Sequence, residues 1–325
     1  MQAIAWTAYG PPEALQLQEI AKPTPTANEV LIKVHAATVT TGDCELRGLK
    51  LPLVYRLPLR LYMGFSKPKG KILGQELAGE IEAIGSAVTR FQPGDPIFAV
   101  TMLRFGAYAE YTCLPESYPI MAKPTNMSYA EAATIPTGGI NALHFLRKAN
   151  LQAGERLLIN GAGGSIGTYA VQIAKLWGAQ VTCVDSARKL AMLRGLGADQ
   201  VIDYAQNDFT QNGESYDVII DVVGKSSFAR SIRALKPKGR YVLGNPNLSG
   251  MVRGLWTTKT SDKQVISETA SAKTEDLRFL KELVEAGKLK AVIDKVYGLA
   301  QTAEAHRYVE NGYKAGNVVI TLGKN

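Results

Sequence analysis

The sequence of 325 residues is 46% hydrophobic and 20% charged, a balance that argues against a disordered chain and leaves enough apolar material for two ordinary domains. No run of ~18 apolar residues is present, and the first twenty residues carry Glu13 and Glu19, which argues against a spanning helix or a basic-then-apolar leader. A net charge of +8 is scattered apart from Lys67, Lys69 and Lys71, and Cys44, Cys113 and Cys183 are too few and too far apart for a disulfide framework, so the expectation is a cytoplasmic protein with neither nucleic acid nor membrane as partner.

In chain order, the first third reads as strands. "EVLIKVHAATV" (29–39), "ELAGEIEAIG" (76–85), "DPIFAV" (95–100) and the alternating "GAYAEYTCL" (106–114) are punctuated by proline and glycine turns. Between them, "LPLVYRLPLRLYMGFSKPK" (51–69) is a long aromatic and basic insertion. The segment "GKILGQELAGEIEAIG" (70–85) places Gln75 and Glu76 between glycines in an otherwise apolar stretch, a position for a metal ligand, an acid or a structural hydrogen bond. Near residue 125 the texture changes. Ser128 and Glu131 have the spacing of a capping box, Pro136 is expected to stop the helix they begin, and "NALHFLRKAN" opens another.

From there strands and helices alternate through "RLLIN", "SIGTYAVQIAKLW", "VTCVD", "ARKLAMLRGLG", "QVIDY", "YDVIIDVVG", "SSFARSIRAL" and "RYVLG". Short continuous apolar strands separated by helices predict a parallel sheet covered on both faces. Ile166, Tyr169, Ala170, Ile173, Ala174 and Trp177 recur at intervals of three and four, the stripe of a helix packed on that sheet. The tail gives the helix "TEDLRFLKELVEAG" (274–287) and then two strand-like segments, which could rejoin the first domain.

The chemistry-bearing motif is "LLINGAGGSIG", a strand that runs into four glycines and then a helix. Such a loop lets a pyrophosphate approach main-chain N–H groups where the helix dipole favours anions. The spacing departs from G-x-G-x-x-G because Ile166 precedes the last glycine, Gly167. A second strand ends in Asp185, near the ~20-residue offset of a ribose-binding acid. That carboxylate favours NADH, whereas Ser186, Arg188 and Lys189 just beyond it suit the 2′-phosphate of NADPH. At ~4 Å and a dielectric of about 20, each effect is worth roughly 4 kcal/mol before solvation, so the two nearly cancel.

With these pieces in order, the chain is similar to medium-chain dehydrogenase/reductases of the zinc-free, quinone-oxidoreductase-like branch. The similarity covers nearly the whole length and rests on "YGPPEALQLQEI", "EVLIKVHAATVTTGD", "ILGQELAGEIEAIGSAVTRFQPGD", "INGAGGSIGTYAVQIAKLWGA", "LGADQVIDY", "YDVIIDVVG" and "GNVVITL". It implies an α/β architecture: a GroES-like β-barrel catalytic domain, residues 1–124 completed by 268–325, and a Rossmann doubly wound parallel sheet domain, residues 125–267. It also implies a homodimer. Zinc-dependent members of the superfamily hold their metal with a cysteine, a histidine and a cysteine at positions matching Thr40, Gln75 and approximately Pro136. None of those ligands is present, and His35, His144 and His306 are scattered, so no metal is expected.

Without a Lewis acid, an activated acceptor is easier to reduce than a simple carbonyl, because a quinone or enone delocalises the incoming charge. The expected reaction is hydride transfer from NADPH, with NADH as the alternative, to a quinone or an α,β-unsaturated carbonyl. The other readings are a zinc-free alcohol or aldehyde oxidoreductase and a non-catalytic NADPH-binding sensor or scaffold. Thr40 and Tyr62 are the candidate catalytic residues, with packing as the alternative role for Tyr55, Tyr62 and Phe65. The resemblance implies that Gly163, Gly164, Ser165 and Ile166 line the pyrophosphate, that Tyr204 approaches the adenosine end, and that Asn141, Gly244 and Asn245 meet the nicotinamide side. Asp185, Ser186, Arg188 and Lys189 complete the cofactor set. Trp256, in "NPNLSGMVRGLW" (245–256), is either a pocket wall or core.

Overall fold

The computed structural model describes residues 1–50, 53–69 and 72–323, with backbone alone at 53–55. The chain divides into two compact units: residues 1–137 with 272–287 and 291–325, and residues 138–271 with 288–290. The first division lies beyond the change of texture near 125. The reason is local, since the short helix after Ser128 packs on first-unit strands and the Thr137 N–H holds Glu76 at 2.6 Å.

In the first unit, β1 (Gln2–Trp6) and β2 (Leu15–Glu19) form an antiparallel ribbon. There follow β3 (Glu29–Thr38), α1 (Thr41–Gly48), α2 (Leu53–Met63), β4 (Glu76–Ile84), β5 (Pro96–Val100), β6 (Tyr111–Pro115), β7 (Ile120–Ala122) and α3 (Tyr129–Ala132). The alternation from 106 does not become one strand: Phe105 and Gly106 have φ of 56° and 100°, Ala109 makes only an isolated bridge to Ala3, and the ladder with β3 begins at Tyr111. The basic insertion contains α2, which accommodates Pro58; the Tyr55 side chain and residues 51–52 lie outside what is described. Ser128 and Glu131 do form the capping box of α3. Pro136 does not stop a helix. It occupies the first turn of α4 (Ile135–Lys148), where its missing N–H would have no intrahelical partner anyway.

In the second unit come β8 (Arg156–Asn160), α5 (Ser165–Leu176), β9 (Gln180–Asp185), α6 (Ala187–Gly195), β10 (Gln200–Asp203), β11 (Tyr216–Asp221), α7 (Phe228–Arg233), β12 (Leu235–Leu243), α8 (Leu248–Thr260) and β13 (Gln264–Ile266). Among the described residues the sheet order is β10-β9-β8-β11-β12-β13, every pair parallel. Numbered within the unit this is 3-2-1-4-5-6, the dinucleotide-binding order whose switch point lies between β8 and β11. The core is apolar on both faces of the central strands: Leu157, Leu158, Ile159, Val218, Ile219 and Ile220 are fully buried.

The tail completes the first unit. α9 (Thr274–Glu285), β14 (Ile293–Gly298), α10 (Thr302–Glu310) and β15 (Asn317–Thr321) follow, and β15 pairs antiparallel with β3. Among the described residues the first-unit sheet runs β14-β15-β3-β4-β5-β7, with β6 also on β3. Val30, Ile32, Leu77, Ile81, Ile97 and Val318 fill its interior. No helix among the described residues is long and apolar enough to cross a membrane.

Candidate active site

Two groups of polar residues stand out, one in each unit. In the first unit, β3 ends at Thr38 and α1 begins at Thr41, so Thr40 is the N-cap. Its hydroxyl accepts from the Asp43 N–H at 3.0 Å and donates to Asp43 Oδ2 at 2.7 Å, while the Thr40 N–H donates to the same oxygen at 3.0 Å. This reciprocal box explains why a polar residue is needed at both positions. Gln75, just before β4, donates from Nε2 to Thr40 Oγ1 at 3.4 Å. A β-carbon at Gly42 would lie 2.9 Å from that same nitrogen, so glycine there gives the amide its place.

Asp43 is wholly buried, and among the described residues its Oδ1 has no hydrogen-bond partner. Burial pushes its carboxyl above the ordinary range against the pull of the Thr40 hydrogen bonds. Glu76 is equally buried. It accepts a short hydrogen bond from the Thr38 hydroxyl and one from the Thr137 N–H at 2.6 Å, yet loss of solvent still raises it to about 7. Tyr108, whose hydroxyl donates to the Thr38 carbonyl at 3.1 Å, is held well above 10 by burial and by the Asp43 charge. Of the roles open to Glu76, the hydrogen-bonded buried acid is the one seen. The patch is a dry cluster of two carboxyls, a hydroxyl and an amide, able to retain a proton near neutral pH.

The positions that would carry zinc ligands supply other chemistry. Thr40 and Gln75 meet, but as hydroxyl and amide, and Pro136 has no donor in its side chain. A hydroxyl, an amide and a proline are not the thiolate and imidazole donors that a catalytic zinc takes; among the described residues no three His, Cys, Asp or Glu side chains are placed to hold a metal ion. His306 is buried against Cys44, Nδ1 to Sγ 3.4 Å, and burial lowers it to about 3. His35 stacks on Tyr129 with ring centroids 4.4 Å apart. Tyr62 is 53% exposed on α2 and donates to the Leu103 carbonyl at 3.4 Å.

In the second unit, the glycine loop lies between β8 and α5. Gly164 is the N-cap of α5 and offers no side chain to its first turn, which holds no acidic residue. The N–H groups of that turn therefore suit an anion, and the loop fits the pyrophosphate of a nicotinamide dinucleotide. At Gly167 a β-carbon would fall 2.4 Å from the Ala162 carbonyl, so the displaced last glycine serves close packing of helix on strand.

Asp185, the last residue of β9, reaches back to this loop. Its Oδ2 accepts from the Gly163 N–H at 2.7 Å, and its Oδ1 accepts from the Ser186 N–H at 2.8 Å. Lys189, one turn into α6, places Nζ 3.0 Å from the same Oδ1, and both side chains are about 8% exposed. Ser186 is half-buried, Arg188 exposed, and Tyr204, 65% exposed, is tethered by its N–H to the Asp185 carbonyl at 3.2 Å. The structure thus brings Gly163, Asp185, Ser186, Lys189 and Tyr204 together. It also shows Asp185 and Lys189 engaged with each other.

The nicotinamide-side candidates share one helix face. Gly138, Asn141 and Phe145 lie at spacings of three and four on α4. A β-carbon at Gly138 would fall 2.9 Å from Tyr169 and 3.0 Å from the Ser165 carbonyl, and one at Gly244 would sit tightly against Phe145 at 3.3 Å and the Asp221 carbonyl at 3.1 Å. Asn141 therefore sits along a stripe that runs from the start of α5 to Gly244, and Asn245 is exposed just beyond. Trp256 is not core; it is 71% exposed on α8.

Asp43 escaped the sequence reading, and so did a second buried acid. Asp221, at the end of β11, is fully buried and accepts from Asn160 Nδ2 at 2.9 Å, the Gly224 N–H at 2.8 Å, the Tyr241 hydroxyl at 3.0 Å and the Ser226 hydroxyl. It joins the C-terminal ends of β8, β11 and β12 at the switch point. Only its place at the end of an apolar strand, shared with Asp185, could have marked it.

Comparison with known proteins agrees with both units. The family description "Alcohol dehydrogenase GroES-like domain" matches residues 26–125, and "Zinc-binding dehydrogenase" matches 196–320. The second stretch contains none of Thr40, Gln75 and Pro136. The chain is 33% identical to a chloroplastic quinone-oxidoreductase homolog of Spinacia oleracea over 98% of each protein. It is 30% identical to the chloroplastic NADPH-dependent alkenal/one oxidoreductase of Arabidopsis thaliana, over 98% of this chain and 79% of that one. A solved quinone oxidoreductase from Coxiella burnetii superposes with a TM-score of 0.89 at 30% identity, covering 99% of both chains.

Proposed function

The chain belongs to the medium-chain dehydrogenase/reductase superfamily, in its quinone-oxidoreductase-like branch, and from that premise we infer that it reduces quinones or α,β-unsaturated carbonyls at the expense of NADPH, without zinc. It is an NAD(P)H-dependent oxidoreductase. The observation that carries the finer reading is the Thr40–Gln75 contact: a hydroxyl and an amide, backed by two buried carboxyls, stand where a zinc site would need thiolate and imidazole. The named activities of the spinach, Arabidopsis and Coxiella proteins point the same way.

A reduced nicotinamide supplies the hydride when bound. The chain's own residues bind, orient and hold protons. The first turn of α5 with Gly163, Gly164, Ser165 and Ile166 receives the pyrophosphate, Ser186, Arg188 and Tyr204 serve the adenosine end, and Asn141, Gly244 and Asn245 the nicotinamide side. The second N–H of Gln75 Nε2 is a donor suited to an oxygen that gains charge; the Thr40 hydroxyl, which donates to Asp43, links that amide to a buried carboxyl, and Glu76, near 7, keeps a proton in the same patch. Tyr62 is a second donor within the first unit.

We extend the reading to a homodimer in the cytoplasm. β13 is the edge of the sheet among the described residues, and the neighbouring α8 exposes Leu248, Val252, Leu255 and Trp256 at helical spacing, an apolar face suited to a second copy of the chain. The cysteines are free thiols, as a reducing compartment requires. The test is NADPH oxidation with p-benzoquinone and with a short enone, with and without chelator, alongside metal analysis. Turnover indifferent to chelation and well below one zinc per chain is expected. Stoichiometric zinc with activity lost on chelation would overturn the zinc-free reading, and silence toward every acceptor would leave a binding protein only.

A further inference from the structure

A carboxylate at the end of the second strand of a dinucleotide fold normally hydrogen-bonds the adenosine ribose and rejects a 2′-phosphate by charge. Asp185 holds that position, but a buried ammonium already pairs with its charge. Both oxygens are already engaged: Oδ2 by the Gly163 N–H, Oδ1 by the Ser186 N–H and by Lys189 Nζ at 3.0 Å. A β-carbon at Gly163 would fall 2.5 Å from Lys189 Cδ and 2.9 Å from Asp185 Oδ2. The glycine at 163 is thus required by the Asp–Lys pair lying against the loop.

We propose that Lys189 sets cofactor choice indirectly: by neutralising Asp185 it removes the charge that would exclude a 2′-phosphate, so the pocket admits NADPH despite an acid at the strand end. This rests on the reading of the loop as a nicotinamide-dinucleotide site. Lys189 is a positioning residue here, because its ammonium is buried against Asp185. Beside the pair, Ser186 is half-buried with its hydroxyl 3.4 Å from Asp185 Oδ1, and Arg188 is exposed. With the pair intact, Asp185 and Lys189 sum to zero. Without Lys189 the carboxylate is unmasked and repels a 2′-phosphate.

The test is direct binding of NADPH and NADH to the purified full-length chain by calorimetry, with no turnover required. Wild type binds NADPH at least as tightly as NADH. Lys189→Met weakens NADPH at least tenfold and NADH less than threefold. The double variant Asp185→Asn, Lys189→Met keeps an oxygen for the Gly163 N–H and removes both charges, so NADPH binding returns to within threefold of wild type. A double variant as weak as Lys189→Met would mean that Lys189 touches the phosphate itself, and equal weakening of both cofactors would reduce the pair to a structural latch; either overturns the proposal. Should Lys189→Met fail to fold, Asp185→Asn alone decides: NADPH tightens at least threefold relative to NADH, and no change contradicts the proposal. If wild type binds neither dinucleotide, it is the family-based cofactor reading that fails.

Discussion

Two pairs of buried acids, Asp185 and Asp221 in the second unit and Asp43 and Glu76 in the first, are handled in opposite ways. In the second unit Asp221 receives four donors and Asp185 two N–H groups and an ammonium, so each carboxylate is compensated and fixes strand ends and loop. In the first unit Asp43 leaves one oxygen without a partner among the described residues, and Glu76 has two donors yet is raised to about 7. A fully satisfied carboxylate is scaffold. An under-satisfied one holds a proton, which a site that must deliver protons can use.

The contrast is open to attack by substitution. Asp221→Ala should have the largest effect, since it strips four donors of their acceptor; hydrogen bonds to charged groups are worth about 1.5–3 kcal/mol each, and a loss above ~3 kcal/mol is expected by urea unfolding. A loss under ~1 kcal/mol would end the scaffold role. Glu76→Gln comes next and is read through pH. The folded state binds this proton more tightly than the unfolded chain, from 4.5 to about 7, so wild-type stability falls as pH rises through that window and the penalty is complete above it. Relative to the variant, wild type should lose on the order of 3 kcal/mol between pH 4 and 8. His306 acts in the other sense. Lowered to about 3, it costs stability as pH falls below 6.5, so matching slopes in wild type and Glu76→Gln would exclude Glu76 as the cause.

Smaller effects sharpen the same contrast. Thr40→Ala removes an N-cap and should cost about 1 kcal/mol, while turnover falls at least tenfold; Thr40→Ser should retain both, and an active alanine variant would remove Thr40 from the site. At the surface, Lys175 pairs with Asp199 at 2.8 Å with both side chains partly exposed. Lys175→Ala should change unfolding free energy by less than ~1 kcal/mol, the scale against which the buried acids are judged.

Much of the architecture is legible in the residues because its signals are local. Strand alternation, the Ser128–Glu131 box and the glycine loop each specify their own segment, and a parallel sheet follows from strands and helices in alternation, whereas its 3-2-1-4-5-6 order does not. What escapes is long-range. Glu76 meets Thr137 and Thr38, Asp221 meets Asn160 and Tyr241, and Asp185 meets Gly163; no spacing rule joins such partners. Lys189 illustrates the cost, since it reads as a phosphate ligand by sequence and is a buried counter-ion in the fold. Pro136 misleads for a related reason: its meaning depends on whether the helix begins before or after it.

The chemistry itself turns on where the hydride goes. NADPH carrying deuterium at the transferring position, incubated with the enzyme and an α,β-unsaturated ketone, should yield the saturated ketone with deuterium on the β-carbon. Deuterium on the carbinol carbon of an allylic alcohol would contradict it, and would mean that the Thr40–Gln75 patch polarises a carbonyl for direct reduction.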